Sequence, residues 1–247
     1  MNLRTMGSKL RAMKIAKSLI KGVFLERPNR FITIISLGDT IVESHLPDPG
    51  RLQELLIPGA IVYALPAPEN SERKTKYSTV MVENNGVLIS LDTTLPNRFI
   101  KHYLNTIPLF ADWSIIKAEY TVGNHRIDFL LNDSFGNEVY TEIKSVTFVE
   151  NKIAKFPDAV TARGRKHVNL LAKLVEDGKR SLVLFVCQRP DANEFRPMWN
   201  RDPEFAKALK NAYDGGVRIH CITTNISLKE MTYSNEIPVN LTSPNEA

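Results

Sequence analysis

The sequence predicts two folded units of different class, a small all-β barrel followed by an α/β domain with a mixed central sheet. Three observations carry this. Residues 22–93 hold six short apolar or alternating runs split by Pro, Gly, Asn and Asp clusters. At Thr94 the hydrophobic period changes from strand-like to helical. Beyond it the order reads strand, hairpin, helix, buried strand, helix, strand, which is an α/β succession. At 247 residues the chain is long enough to bury two cores.

In chain order, residues 1–21 form a basic extension. GVFLERP, RFITIISL, TIVESHLP, AIVYALP, YSTVMVEN and GVLISLD then supply five or six strands over 22–93, enough for a small barrel. LPDPGRLQELL interrupts them with a Pro-Gly turn and predicts a short helix over 52–56. Residues 66–77, PAPENSERKTKY, read as a polar loop. Its Arg73, Lys74 and Lys76 beside Tyr77 have the chemistry to follow a phosphate backbone and stack a base, or to make a plain solvated loop.

The second unit is expected over 94–241. TLPNRFIKHYLN places Leu95, Phe99 and Tyr103 at helical spacing. Strands SIIKAEY, RIDFLLN and EVYTEIKSVTF follow. A long helix is predicted over 157–176, opened by Pro157 and Asp158 and closed near Gly178, with Val160, Val168, Leu171, Leu174 and Val175 as its core stripe. SLVLFVCQ is a buried strand, DPEFAKALKNAYDGG a helix stopped by glycine, and VRIHCITTNI a further strand; residues 242–247 are a tail.

Composition narrows the functional classes. No apolar run approaches the ~18 residues of a membrane span, and the basic start lacks a signal-peptide core, so a cytoplasmic protein without a membrane partner is expected. Cys187 and Cys221 lie in apolar segments away from metal-ligand spacing and read as core thiols of a reducing compartment. The net charge of +5 belongs to the extension, where Arg4, Lys9, Arg11, Lys14, Lys17 and Lys21 stand without an acid. Such a block reads as a solvated tail, with a nucleic-acid-binding arm or an amphipathic helix as alternatives. His45, His102, His125 and His220 are scattered, and there is no nucleophile elbow, phosphate loop or zinc framework.

One stretch concentrates chemistry. In RIDFLLNDSFGNEVYTEIKSVTF, Asp128 lies on one apolar run, and Glu142 and Lys144 lie on the next, across a Gly-containing turn. Residues i and i+2 of a strand share a face, and a hairpin brings Asp128 beside them. Two ionised carboxylates about 5 Å apart repel by roughly 3 kcal/mol at an effective dielectric of about 20. Such a pair holds a proton or attracts a cation. Oxygen ligands of this kind suit Mg²⁺, and Lys144 can orient the attacking water or stabilise charge on a phosphate. The alternative is a partly buried salt bridge on a hairpin.

The Asp128, Glu142, Lys144 pattern resembles the PD-(D/E)XK nuclease signature. EIKSVTF followed by FPDAVTARGRKHVNLL, with RPNRF at 27–31, HLPDPGRLQELL at 45–56 and TLPNRFI at 94–100, is similar to the sugar fermentation stimulation protein family, SfsA, over nearly all of the chain. The resemblance implies an OB-like N-terminal barrel followed by a PD-(D/E)XK nuclease-like α/β domain, binding of nucleic acid, expected to be DNA, and a regulatory role in sugar metabolism. It implies Mg²⁺ or Mn²⁺ held by Asp128, Glu142 and the carbonyl of Ile143, with Lys144 positioning water. Contacts to nucleic acid are expected from Arg27, Asn29, Arg30, Arg51, Asn97, Arg98, Arg163, Lys166 and His167. Arg163 and His167 share a helix face at i and i+4, and Gly164 between them costs about 1 kcal/mol against alanine, which invites a reason; a wet helix face is the alternative. The residues leave open a metal-dependent phosphodiesterase, a non-catalytic DNA-binding regulator of sugar (maltose) genes, and, more distantly, a protein-interaction module. They do not decide between DNA and RNA, or the oligomeric state.

Overall fold

The computed structural model describes residues 12–15 and 18–244. The chain enters on a two-residue strand, β1 (Met13–Lys14), and then builds the barrel from β2 (Ile20–Asn29), β3 (Ile32–Leu37), β4 (Thr40–His45), β5 (Ile61–Pro66) and β6 (Tyr77–Asn84). These pair antiparallel in the order β4-β3-β2-β5-β6, and a short parallel pairing of Ser44–His45 with Tyr77–Ser78 closes the ring. The result is a closed, five-stranded, OB-like barrel. β7 (Val87–Ser90) extends β6 through the Asn85-Gly86 turn, where both residues have positive φ, as a two-residue hairpin loop with the twist of its strands requires. Phe24, Ile35, Leu52, Leu55, Val62 and Val82 fill the interior.

The second domain opens with α1 (Leu95–Tyr103), then β8 (Ser114–Val122), β9 (His125–Asn132) and β10 (Glu138–Val146). After β11 (Val149–Glu150) and β12 (Ile153–Phe156) come α2 (Ala162–Glu176), β13 (Arg180–Cys187), β14 (Glu194–Pro197), α3 (Pro203–Asp214), β15 (Arg218–Ile226) and β16 (Glu230–Ile237). The main sheet runs β1-β16-β15-β13-β10-β9-β8, with β10, β13 and β15 mutually parallel and the other pairs antiparallel, hence mixed. β13 is buried on both faces. Val183, Phe185 and Cys187 pack in one core with residues of α2 and α3, while Leu182, Leu184 and Val186 pack in the other with α1. Such a strand must read as a continuous apolar run. Both cysteines are buried and free. Among the described residues no helix is long and apolar enough to cross a membrane.

Several elements differ from expectation. Residues 52–56 are a turn and not a helix: Leu52 adopts φ 52°, and its carbonyl accepts from Leu55 and Leu56 without propagating. The long helix starts at Ala162, because Asp158 is committed elsewhere and Thr161 is the cap, its hydroxyl accepting from the Gly164 N–H at 3.0 Å. Val160, placed in the core stripe, therefore precedes the helix and is 70% exposed. The three-stranded sheet of β11, β12 and β14 and the terminal strand β16 have no counterpart among the expected elements. The basic extension is not wholly a tail. Met13 and Lys14 pair with Met231 and Glu230, and Ile20 and Lys21 begin β2, because an apolar Met13 fills the second core and its backbone completes an otherwise open edge. Arg4, Lys9, Arg11 and Lys17 lie outside the described residues.

The two units are bonded to each other. Asp158 accepts from the Leu52 N–H of the barrel at 2.6 Å and is paired with Arg201. Tyr63, Val80 and Met81 of the barrel pack with Ile15 and Ile226. At this junction Glu54 has a buried carboxylate oxygen without a partner, and burial, reinforced by Asp158, pushes its carboxyl up to about 7. Below its ordinary value of 4.5 the proton is held in folded and unfolded chains alike. As pH rises from 4.5 towards 7 only the folded chain still holds it, so stability falls across that window, and the full cost is present above 7, where the folded chain has lost it too. Glu54→Gln is expected to raise the melting temperature at pH 8 by about 2–4 °C and to leave it unchanged near pH 4. Equal shifts in thermal melts at both pH values would show that the charge is not the cause.

Candidate metal centre and nucleic-acid cleft

The site begins where a ladder ends. β9 and β10 pair antiparallel from Asn132 opposite Glu138 to Phe129 opposite Thr141, and there the pairing stops. The next residues on each strand are Asp128 and Glu142, which the register sets opposite one another. Freed from the ladder, the Ile143 N–H donates to Asp128 Oδ2 at 2.7 Å, while Asn97 of α1 donates to Oδ1 at 2.6 Å. Burial and the neighbouring Glu142 push the Asp128 carboxyl up to about 6.

Glu142 is treated differently. Its Oε1 receives Lys144 Nζ and His167 Nδ1, each at 2.5 Å. Burial alone would raise its pKa, but these two groups outweigh it and hold the carboxyl below its ordinary value. Its second oxygen, Oε2, is buried and has no hydrogen-bond partner, on a residue only 4% exposed. An orphaned oxygen of a buried carboxylate is costly unless something positive meets it. Among the described residues no group of three or more His, Cys, Asp or Glu side chains is arranged to hold a metal. Protein ligation would thus rest on the Asp128 and Glu142 carboxylates, which line one cleft with Ile143. That set fits Mg²⁺ or Mn²⁺, which keep several waters, and does not fit the nitrogen and sulfur cage of a structural zinc.

The pair lies in a cleft of about 780 Å³ walled by both domains. Of the residues expected at nucleic acid, Arg30 and Arg163 line this cleft with Asn97. Asn29 and Arg51 line an adjoining groove with Arg27. The Arg27 guanidinium itself is spent on the carbonyls of Arg30, Asp48, Gly50 and Arg51. Arg98 is paired with Asp92 at 2.6 Å, and Lys166 lines a separate groove with His125 and Asn169. His167 is buried against Glu142 and not on a wet face. Gly164 has its reason too, since a Cβ there would meet the Thr161 side chain at 2.8 Å and Phe205 at 3.3 Å.

Sequence reasoning missed Asp48, Asp158 and Lys155, which also line the cleft. The available signal was an acid beside proline in LPDPG and FPDAV, a pattern that usually marks turns. Asn97 was anticipated as a contact to nucleic acid; the structure bonds it to Asp128.

Comparison with known proteins bears on most of the chain. Residues 25–91 match the model described as the SfsA N-terminal OB domain, and residues 94–230 match that of the sugar fermentation stimulation protein RE domain. The chain belongs to the sugar fermentation stimulation protein family. A family homologue from Desulforamulus reducens is 38% identical, over 92% of this chain and 95% of its own. One from Shouchella clausii is 41% identical, over 90% and 97%. A solved structure described as Pyrococcus furiosus SfsA in complex with Ca²⁺ superposes with a TM-score of 0.83 at 32% identity, covering 92% of this chain and 98% of that one. The order expected from the family motifs, an OB-like barrel followed by an α/β domain with a mixed central sheet, is the one observed.

Proposed function

We propose that this chain is a cytosolic, divalent-cation-dependent phosphodiesterase acting on nucleic acid, with Asp128, Glu142 and the Ile143 carbonyl as ligands for Mg²⁺ or Mn²⁺. The observation that carries this reading is the buried, unpartnered Glu142 Oε2 in the same cleft as Asp128, whose carboxyl is pushed up by burial and by Glu142. A bound cation would supply Lewis-acid neutralisation of phosphoryl charge and lower the pKa of a water. The chain's own groups do the rest. Asn97 and the Ile143 N–H orient Asp128, His167 fixes the Glu142 rotamer, and the Lys144 ammonium stands where it can orient the attacking water and stabilise charge on the phosphate. The Ca²⁺ complex of the Pyrococcus furiosus relative supports a divalent-cation site in that protein. Two buried free thiols suit a reducing compartment.

A second reading, a non-catalytic DNA-binding regulator of sugar (maltose) genes, is favoured by one observation: Lys144 and His167 already satisfy Glu142 Oε1, as they would in a structural ion pair. Cation binding separates the two. Calorimetry with Mn²⁺ or Mg²⁺ is expected to show a heat that Asp128→Asn weakens at least about tenfold. A cation at a hundred times its dissociation constant should stabilise the wild type by about 2.7 kcal/mol, seen as a rise of roughly 5–10 °C in melting temperature. Equal heats from wild type and Asp128→Asn would exclude the site.

A further inference from the structure

The phosphodiesterase reading leaves the form of the nucleic acid undecided, and the walls of the cleft bear on it. The cleft of about 780 Å³ and the adjoining groove of about 350 Å³ share Arg30, Pro49, Gly50, Ala159 and Val160, so they are one continuous channel leading out from the carboxylates. One wall is the barrel loop around residues 48–51; the other is the segment 157–163 that precedes and starts α2. These walls are fastened to each other. The Leu52 N–H donates to Asp158 at 2.6 Å, Arg201 holds the same carboxylate, and a Cβ at Gly50 would meet Asp48 at 2.9 Å and Asp158 at 3.1 Å. A slot pinned by buried hydrogen bonds and backbone this close does not open to admit a wide ligand.

Its lining has the chemistry of a strand track. Arg30, Arg51 and Arg163 form no ion pair among the described residues, whereas Arg98, Arg126, Arg165, Arg180, Arg189 and Arg196 all do. The negative charge of Asp158 is taken up by Arg201. Val160, an apolar side chain left in water, stands beside these cations with Pro49. Cations that follow a backbone, interleaved with apolar surface for base faces, are what sequence-tolerant single-strand binding uses. Glu142 lines the cleft and is only 4% exposed, so a scissile phosphate must enter between the two walls to reach it, which a phosphate backed by a paired second strand does less readily.

From this geometry we infer that the site takes single-stranded nucleic acid in preference to the duplex, led to Asp128 and Glu142 along the channel past Arg51, Arg30, Val160 and Arg163. This rests on the phosphodiesterase reading for its chemistry, but its test is a binding test. Fluorescence anisotropy of the full chain in Ca²⁺ at fixed salt would compare labelled oligonucleotides of about 20 residues, as single-stranded DNA, single-stranded RNA and blunt duplex DNA. One or both single strands should bind at least about tenfold more tightly than the duplex, and the two single-strand arms show which sugar is preferred. Arg30→Ser combined with Val160→Asp should weaken single-strand binding about fivefold or more with no change in melting temperature, since both side chains are exposed. Duplex binding equal to or tighter than single-strand binding, or an unaffected double variant, overturns the inference and leaves the phosphodiesterase reading standing if Mn²⁺-dependent cutting is seen. Failure to bind any of the three overturns both.

Discussion

Lys144→Ala is expected to keep cation binding within a few-fold of wild type while cutting nucleic acid about 10²–10³ times more slowly, and Glu142→Ala to lose both. Lys144 is an ammonium and cannot be a ligand, yet it lies on the same face as Glu142, two residues along β10, with Nζ 2.5 Å from Glu142 Oε1. Removing it takes away the charge that the proposed mechanism sets beside the phosphate, without touching Oε2. Glu142→Ala instead removes the carboxylate and leaves Lys144 and the buried His167 without their acceptor. Breaking a buried pair costs about 3–5 kcal/mol, so the fold must be monitored. Glu142→Gln guards against misreading: it keeps the shape and one acceptor for His167, so it should remain folded and still lose cation binding and cleavage. Single-turnover cleavage and calorimetry on the same preparations separate the outcomes. Cutting that persists equally in Lys144→Ala and Glu142→Gln, or a wild type that cuts nothing under Mg²⁺ or Mn²⁺, replaces the enzyme with the regulator.

The second large effect is structural. Asp158 is nearly buried and serves both units at once, accepting from the Leu52 N–H of the barrel while holding Arg201 of the α/β domain. Asp158→Ala leaves the buried Leu52 N–H without its acceptor and the Arg201 guanidinium without its carboxylate, holding only the backbone carbonyl of residue 158, and is expected to cost about 3–5 kcal/mol, a fall of roughly 10 °C in melting temperature. Asp158→Asn retains an acceptor for Leu52 but loses the charge opposite Arg201, and should fall between. The loss should also loosen the channel, since this carboxylate ties its two walls. Scanning calorimetry placing Asp158→Ala within about 0.5 kcal/mol of wild type, the range of an ordinary surface change, would remove Asp158 from this role.

Much of the molecule was legible before any coordinates. Alternation and turn residues marked the barrel strands, the unbroken apolar run of SLVLFVCQ marked β13, and Glu142 and Lys144 could be placed on one face because the strand period is two. Asp128 followed from the hairpin, since its short turn sets the register that brings it opposite Glu142. All of these are properties of neighbouring residues on one backbone. What tertiary structure decided joins residues far apart in sequence. His167 reaches Glu142 across 25 positions, Asn97 reaches Asp128 across 31, and Leu52 reaches Asp158 across 106. Those partners are chosen by how α1, α2 and the barrel pack on the sheet. The same packing turned Asp158 from a helix opener into an interdomain tie, left Val160 in solvent, and drew Met13 and Lys14 out of the basic extension onto β16. Local periodicity is set by the dihedral angles of one segment and can be read from it. A side chain's partner is set by which buried polar group would otherwise go unsatisfied, and that exists only once the segments are packed together.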